Sequence, residues 1–253
     1  MDPAYLPVIV VTRISARHWH ALADDQVVGR GEVLPRPDGR SFLSIDTWHE
    51  TVFDQLAAAM LADLPRPLYT VVDEADHDLL SRWERIGFGP RRREWEYVVP
   101  TDPRISGLGK IPPPPGVTIL AIGKAEEVPL RQLDREIRDE VEATLGWRNM
   151  PAEVLARLEP AKYAVAAHSD RYVGLARVAP LPRQPRIGLI AVRADMRRRG
   201  IARALLAEVL GSIHRRGIPS ASADVNQSNQ AALALFEGVG ARRASSNLEL
   251  VVR

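Results

Sequence analysis

The 253-residue sequence carries a formal net charge of +2 at neutral pH, with 45% hydrophobic and 26% charged residues. These values are typical of a globular chain with one large domain or two small ones. The sequence contains no cysteine, which excludes disulfides, thiolate zinc sites and cysteine nucleophiles. No apolar run approaches the roughly 20 residues of a membrane-spanning helix, and the first residues lack a secretory signal. We therefore expect a cytoplasmic protein without a membrane partner.

The basic residues and the histidines exclude two further kinds of binding. Almost all basic residues are arginines, and no basic stripe is interleaved with aromatic residues. We therefore expect no nucleic-acid partner. The six histidines show no spacing typical of metal ligands, so no metal is expected either.

In chain order, residues 1–100 predict alternating strands and helices, which we take as one domain. Apolar runs bounded by turn residues indicate strands, and apolar residues at helical spacing indicate helices. The predicted elements are a strand and hairpin turn at 28–37, a strand at 41–45, a helix at 51–64, a strand at 68–72, a helical segment at 76–88 and a strand at 95–99.

A segment rich in proline and glycine follows at residues 101–116. It contains four consecutive prolines at 112–115, which cannot continue a helix or a central strand. Residues 101–116 are therefore predicted to be a linker between two domains.

Residues 117–253 predict a second domain that largely repeats the order of the first. It begins with a strand at 117–120, which is followed by two helices without an equivalent in the first half, an amphipathic helix at 127–145 and a second helix at 152–158. The remaining predicted elements are strands at 173–179 and 187–192, a helix at 200–216, a strand at 218–225, a helical segment at 229–241 and a strand at 248–252. The shared order indicates an internal duplication.

Three arginines and a glycine lie between the strand at 187–192 and the helix after it. A helix N-terminus offers unpaired N–H groups and the positive end of the helix dipole, which together bind phosphate. Gly200 lets the backbone approach a ligand closely, and the small Ala202 keeps that approach open. The glycine patterns of nucleotide P-loops and of dinucleotide-binding turns are absent. This segment therefore predicts a pyrophosphate site formed by Arg197, Arg198, Arg199, Gly200, Ile201 and Ala202.

Two motifs in this part of the chain resemble the signature of the GCN5-related N-acetyltransferase (GNAT) family. They read Arg197-x-x-Gly200-x-Ala202 and Asn229-x-x-Ala232-x-x-Leu235-Phe236-x-x-x-Gly240-Ala241. The resemblance implies an α/β fold of two tandem GNAT-like domains, each a mixed, largely antiparallel sheet flanked by helices. It also implies that acetyl-CoA binds as co-substrate to the arginine–glycine loop and to Ile190, Ala191, Val192, Asn229 and Phe236.

The activity implied by the resemblance is acetyl transfer from acetyl-CoA to a primary amine, with a small-molecule acceptor expected. An antibiotic amine, an amino acid and a protein N-terminus are the acceptors left open. Phe236 stands where the family often has the tyrosine that protonates the departing thiolate, so water or Ser228 is expected to supply that proton. Asp224 is the preferred general base, although an amine that arrives partly neutral needs none. The other candidate bases are Glu136, Asp139, Glu140 and Glu249. The alternative function is a non-catalytic acyl-CoA-binding sensor.

The corresponding loop of the first domain, residues 46–51, contains neither glycine nor arginine. It carries Asp46 and Glu50, which would repel phosphate. We therefore expect this domain to bind no CoA, and either to pack against the second domain or to form one wall of the acceptor pocket. Trp147 is expected either to line that pocket or to pack in the core. The chain is expected to be a monomer with a pseudo-dimeric pair of domains, or a homodimer.

Overall fold

The computed structural model of the chain describes residues 8–109, 111–144, 146, 157–181 and 184–253. These residues form an α/β fold that divides into two compact units. The first unit comprises the residues up to Arg93 together with Ser246–Arg253, and the second comprises Glu94–Ser245. Trp147, and all of the predicted helix at 152–158 except its last two residues, lie outside the described residues.

The first unit begins with four strands, which are followed by a helix, a fifth strand and a second helix. Its elements are β1 (Val10–Arg13), β2 (His18–Ala23), β3 (Gln26–Pro35), β4 (Ser41–Thr47), α1 (Glu50–Asp63), β5 (Leu68–Asp73) and α2 (His77–Arg85). Helix α1 forms because apolar residues recur at helical spacing and bury one face against the sheet; those residues are Val52, Phe53, Leu56, Ala57 and Met60.

The second unit adds a helix before its central strands. Its elements are α3 (Pro103–Ser106), β7 (Val117–Leu120), α4 (Glu127–Thr144), β8 (Tyr163–His168), β9 (Arg171–Ala179), β10 (Arg186–Val192), α5 (Ile201–Arg215), β11 (Ser220–Asn226) and α6 (Gln230–Glu237). Helices α4 and α5 pack on opposite faces of the sheet, because alternate residues of β8 and β9 contact one helix or the other.

Two long strands, β6 (Gly89–Pro100) and β12 (Arg242–Val252), cross the boundary between the units. Within the first unit, β12 pairs antiparallel with β5, from Asn247 opposite Asp73 to Val252 opposite Leu68. Within the second unit, β6 pairs antiparallel with β11 over seven consecutive residue pairs. Each half of the sequence therefore supplies the closing strand of the other unit.

This exchange departs from the sequence-based boundaries, which placed each closing strand in its own domain, 1–100 or 117–253. The physical reason is that an alternating apolar pattern specifies which face of a strand is buried, not which strand lies beside it. With the exchange, both units have sheets of the same order, β1-β2-β3-β4-β5-β12 and β7-β8-β9-β10-β11-β6. In each sheet, the fourth and fifth strands run parallel.

The segment predicted as a linker, 101–116, is part of the second unit. Thr101 and Leu108 are buried, and the Thr101 hydroxyl donates a hydrogen bond of 2.6 Å to the Ile218 carbonyl oxygen. Pro103 lies in the first turn of α3, where its fixed φ favours the helix, and Asp102 caps that turn. The prolines limit the conformation of this segment but do not prevent it from packing.

Candidate functional site

A gap opens in the second unit between the parallel strands β10 and β11. Among the described residues, their register contains one pair, Arg186 opposite Ser222. Beyond that pair β10 continues along β9, up to Val192 opposite Gly174, with a register shift between Ile187 and Leu189. A bulge of this kind bends the strand that carries it, so the divergence from β11 begins where the bulge lies.

The backbone of β10 presents polar groups to this gap. The Arg193 N–H donates to the Val173 carbonyl oxygen of β9 at 3.0 Å. Since alternate residues of an antiparallel strand direct their N–H and C=O groups to opposite sides, Ala191 also bonds toward β9. Ile190 and Val192 then face the gap, where a ligand can hydrogen-bond to them as an additional strand would.

The loop between β10 and α5 forms a cradle of amides. Arg198 and Gly200 have positive φ angles of 64° and 83°, and α5 begins directly after them at Ile201. Among the described residues, no acceptor takes the N–H groups of residues 198–203. Successive amides in such a turn, at the positive end of a helix dipole, form a binding site for an anion.

Arg197 supports this cradle instead of pointing freely into it. Its Nε donates to the Val192 carbonyl oxygen at 3.0 Å, and its Nη2 lies 2.8 Å from Oε2 of Glu140. Arg198 and Arg199 are exposed, and Arg199 donates a long hydrogen bond to the Asp195 carbonyl oxygen. The loop therefore has one arginine that fixes its shape and two that extend to solvent.

Two of the candidate bases on α4 are occupied by ion pairs with the same region. Glu136 lies 2.6 Å from Arg193 and 3.1 Å from Arg171. Glu140 accepts the Ala194 N–H at 3.0 Å in addition to pairing with Arg197. These carboxylates connect α4 to the cradle. Of the remaining candidates, Asp139 is exposed on α4 and Glu249 belongs to the first unit.

Asp224 lies on β11, where the two central strands diverge, and forms an ion pair with Arg186 of β10. Its side chain is 15% exposed and that of Arg186 is 30% exposed. Glu96 of β6 lies opposite Asp224 in the strand register. To accept a proton, the Asp224 carboxylate would first have to leave the guanidinium.

The start of α6 holds two other predicted site residues. The Asn229 side chain caps the helix by accepting the Ala232 N–H at 3.1 Å. The Ser228 hydroxyl donates to Oδ1 of Asn226 at 2.9 Å. Both residues are exposed and lie just after β11, at the end where β10 and β11 are apart. A cap and a cofactor contact are compatible roles for Asn229.

Phe236 is buried and stacks on Tyr97, with the ring centroids 6.1 Å apart. The Tyr97 hydroxyl donates to Oε1 of Glu237 and accepts from Nε of Arg243, both at 2.9 Å. Burial raises the pKa of Tyr97. Tyr97 was not among the predicted site residues, because the strand that became β6 was assigned to the first domain.

The equivalent strands of the first unit, β4 and β5, also separate, after Ser41 opposite Leu68 and Phe42 opposite Tyr69. In this unit the buried Thr70 donates its hydroxyl to the Leu43 carbonyl oxygen at 3.0 Å, which bridges the two strands. No described residue between β4 and α1 has a positive φ angle.

Two features are absent from the described part of the chain. No group of three or more histidine, aspartate or glutamate side chains there is arranged to hold a metal ion. No helix among those residues is both long and apolar enough to span a membrane.

Comparisons with known proteins agree with this geometry. The profile of the Acetyltransferase (GNAT) family matches residues 128–241. The [Ribosomal protein bS18]-alanine N-acetyltransferase of Escherichia coli (strain K12) is 39% identical over 56 residues, 22% of this chain. The match spans 38% of the length of that relative.

Two solved structures share the fold over most of the chain. A GCN5-related N-acetyltransferase from Sphaerobacter thermophilus has a TM-score of 0.67 and 18% identity, covering 95% of this chain and 82% of its own. A tandem GNAT protein from the clavulanic acid biosynthesis pathway has a TM-score of 0.66 and 15% identity, covering 93% and 82%. The sequence of residues 128–241 therefore matches the model of the Acetyltransferase (GNAT) family, and the described residues share the fold of these solved GNAT structures.

Proposed function

We propose that the protein is an N-acetyltransferase that moves the acetyl group of acetyl-CoA to a primary amine of a small molecule. The observation that carries the proposal is the cradle of amides at residues 198–203, placed at the N-terminus of α5 beside the gap. The pyrophosphate binds these amides, and the pantetheine arm hydrogen-bonds to Ile190 and Val192 of β10. Ala191 contributes only its side chain, because its backbone bonds toward β9.

The backbone of β10 also suits the acyl-transfer step. The amine nitrogen bonds to the thioester carbonyl carbon, the carbonyl oxygen gains negative charge, and the carbon–sulfur bond then breaks. An N–H group of Ile190 or Val192 in the gap stabilises that oxygen as charge develops on it. A thiol has a pKa of about 8.5, so the thiolate departs without a strong acid. Ser228 or water returns the proton to it.

Asp224 is the base that we propose for the acceptor amine. Its position beside the gap and its low exposure favour this role, whereas its ion pair with Arg186 opposes it. An incoming ammonium would compete with the Arg186 guanidinium for the carboxylate. Asp224→Asn is expected to lower kcat/KM and to remove the acidic limb of its pH profile, where protonation of the carboxylate slows the reaction. If the variant keeps both, Asp224 has no role in proton transfer.

A second function is favoured by the side chains near α6. Phe236 has no hydroxyl, and the Tyr97 phenol beside it is bonded to Glu237 and Arg243. A protein that binds acyl-CoA without transferring its acyl group needs no proton donor at this point. The alternative is therefore a sensor or regulatory module that responds to acyl-CoA.

The acceptor is to be sought among amines of several kinds. Relatives of part of this chain are named as alanine N-acetyltransferases of a ribosomal protein. The set of amines to be tested as acceptors, the amine panel, therefore includes a peptide with an N-terminal alanine. Its other members are amino acids, small polyamines and antibiotics that carry an amino group. The panel then tests a small acceptor against a protein N-terminus.

For the first unit, we propose a degenerate GNAT-like domain in a tandem arrangement, one that binds no CoA. The shared strand order of the units supports the duplication. Asp46 and Glu50 near the β4–α1 connection oppose phosphate binding, and the Thr70–Leu43 hydrogen bond bridges β4 and β5 where the two strands begin to separate. The proposed assembly is a monomer with a pseudo-dimeric domain pair, or a homodimer.

The experiment is to measure free-thiol release from acetyl-CoA across the amine panel, with Ala202→Glu as the control variant. The carboxylate in this variant repels pyrophosphate, while helix α5 tolerates an acid in its first turn. We expect amine-dependent thiol release that Ala202→Glu abolishes. Tight acetyl-CoA binding without turnover of any amine would contradict the enzyme and favour the sensor.

A further inference from the structure

The first unit contains a pocket that the proposed acetyl transfer does not use. Its volume is about 340 Å³, within the range of sites for small molecules. It is lined by Arg66, Pro67, Tyr69, Arg91, Val251 and Arg253.

The pocket lies on the face of the first unit's sheet that carries no helix among the described residues. Leu68 and Val72 of β5 pack on the same core as α1, so Tyr69 between them points to the other face. Val251 pairs with Tyr69 across β5 and β12 and points the same way. In the second unit α4 covers the corresponding face, whereas only four residues separate β1 from β2. No helix among the described residues therefore covers the Tyr69 ring, which forms the floor of the pocket.

The charge around this floor is positive. Three arginine side chains line the pocket, and two further arginines stand beside it in a network with two carboxylates. The network consists of Arg36, Arg40, Arg91, Asp38 and Glu249. Burial raises the pKa of Asp38, but hydrogen bonds from Arg40 outweigh that effect and lower its pKa overall. Both carboxylates are thus paired with arginines, and the excess of side-chain charge is cationic.

Arg40 shows that the network leaves a donor unsatisfied. Its side chain is 5% exposed, with Nε bonded to Asp38 at 2.7 Å and Nη1 to Glu249 at 3.0 Å. Its buried Nη2 has no hydrogen-bond partner within the described ranges. The Arg40 guanidinium lies 5.3 Å from the centroid of the Tyr69 ring that floors the pocket. A buried donor without a partner is costly, so the two carboxylates of the network do not satisfy all of its cationic donors.

The guanidinium groups are also arranged around aromatic rings. Arg91 lies 5.7 Å from the Tyr69 centroid, and Phe42 stacks on Tyr69 at 5.3 Å. Guanidinium groups pair in the plane with carboxylates, while an aromatic ring offers a flat apolar surface. The pocket therefore combines an apolar floor with a cationic rim.

We propose that this pocket binds a small aromatic carboxylate, with the flat ring of the ligand on Tyr69 and its carboxylate among Arg66, Arg91 and Arg253. The competing explanation is that the ion pairs only fasten the turn between β3 and β4 to the sheet. That explanation accounts for Asp38, Arg40 and Glu249. Arg66 lies outside these ion pairs, and it donates a hydrogen bond to the main-chain oxygen of Arg253.

The test is a residue-resolved NMR titration of the full chain with benzoate, with coenzyme A present so that the second unit's cradle is not a competing anion site. Neutral benzamide and cationic benzamidine are matched probes of the same shape, and acetate probes the carboxylate without the ring. We expect saturable shifts of Tyr69 and Val251 with benzoate, and at least tenfold weaker affinity for the other three. Equal affinity for benzoate and benzamide would overturn the proposal.

Variants separate ligand binding from a purely structural role. Arg66→Gln and Arg91→Gln are expected to weaken benzoate binding at least tenfold. Arg66→Gln leaves the ion-pair network intact, so it remains informative if Arg91→Gln perturbs the fold. Arg93→Gln removes the same charge from the same strand outside the pocket, and it should bind benzoate as the unaltered protein does. If the three variants bind benzoate equally, or if no saturable shift occurs, the pocket is not an anion site.

Discussion

Arg198 is held at a positive φ angle, which side chains rarely adopt, within the loop that presents free amides. A non-glycine residue in this conformation costs about 1–2 kcal/mol, so the surrounding structure must enforce it. The hydrogen bonds of Arg197 to β10 and α4 fix one side of the loop, and helix α5 fixes the other. Strain kept at such a point is consistent with a backbone shaped for a ligand.

Substitution of Arg198 tests this backbone conformation. Arg198→Gly is expected to raise the thermal midpoint or leave it unchanged, because glycine adopts positive φ without strain. Arg198→Val is expected to destabilise the protein by about 1–2 kcal/mol, since a β-branched residue tolerates this region poorly. The matched control is Arg199→Gly, at a position without positive φ, which should lower the midpoint. Equal midpoints for the two glycine variants, by calorimetry, would contradict the assignment.

Tyr97 and Glu237 give a prediction for pH dependence. Hydrogen bonds from the Tyr97 hydroxyl, and then from Arg243, hold the pKa of Glu237 below its usual value. A depressed pKa in the folded state stabilises the fold above the unfolded pKa, and this contribution is lost as the pH falls through the folded pKa. Tyr97→Phe should therefore raise the pKa of Glu237 toward its usual value. Carboxyl NMR titrations of both proteins measure it, and an unchanged pKa would refute the bond.

At the scale of elements, the long helices α1, α4 and α5 were predictable and the strand partners were not. The predicted helices at 127–145 and 200–216 are confirmed as α4 and α5, because their apolar spacing reports the buried face directly. The exchange of β6 and β12 has no such local signal in the sequence, because the apolar pattern of a strand does not specify which strand lies beside it. Tyr97 and Glu96 consequently lay outside the predicted site.

The exchange predicts which unit each closing strand stabilises. Leu250 on β12 is fully buried in the core of the first unit, and Val99 on β6 is fully buried in that of the second. Leu250→Ala is expected to cost about 2–5 kcal/mol and Val99→Ala somewhat less, because each leaves a cavity in one core. Hydrogen exchange should accelerate in α1 for Leu250→Ala, and in α5 for Val99→Ala.

These two variants serve as controls for each other. Val99 belongs to the first half of the sequence and Leu250 to the second. If each half folded separately, Val99→Ala would destabilise the core around α1 and Leu250→Ala the core around α5. The exchange of strands predicts the reverse. Faster exchange in α5 on Leu250→Ala, with α1 unaffected, would contradict the pairing of β12 with β5.

At the scale of the whole molecule, the two units have the same strand order but differ in the loop that follows the fourth strand of each. In the second unit this loop has positive φ angles and free amides, and in the first it has neither glycine nor arginine. The motif alone predicted where this loop lies. It did not predict the ion pairs that brace it, since Glu136 and Glu140 each join an arginine 57 residues away in sequence.

We propose that one loop of the second unit holds acetyl-CoA, and that the first unit holds none. Calorimetric titration with acetyl-CoA measures this directly, on the unaltered chain, on Ala202→Glu and on the neutral control Ala202→Gln. We predict one site per chain, abolished in Ala202→Glu and weakened less in Ala202→Gln, because a carboxylate adds repulsion of phosphate to the loss of space. Two sites per chain, or one site that survives Ala202→Glu unchanged, would contradict the account.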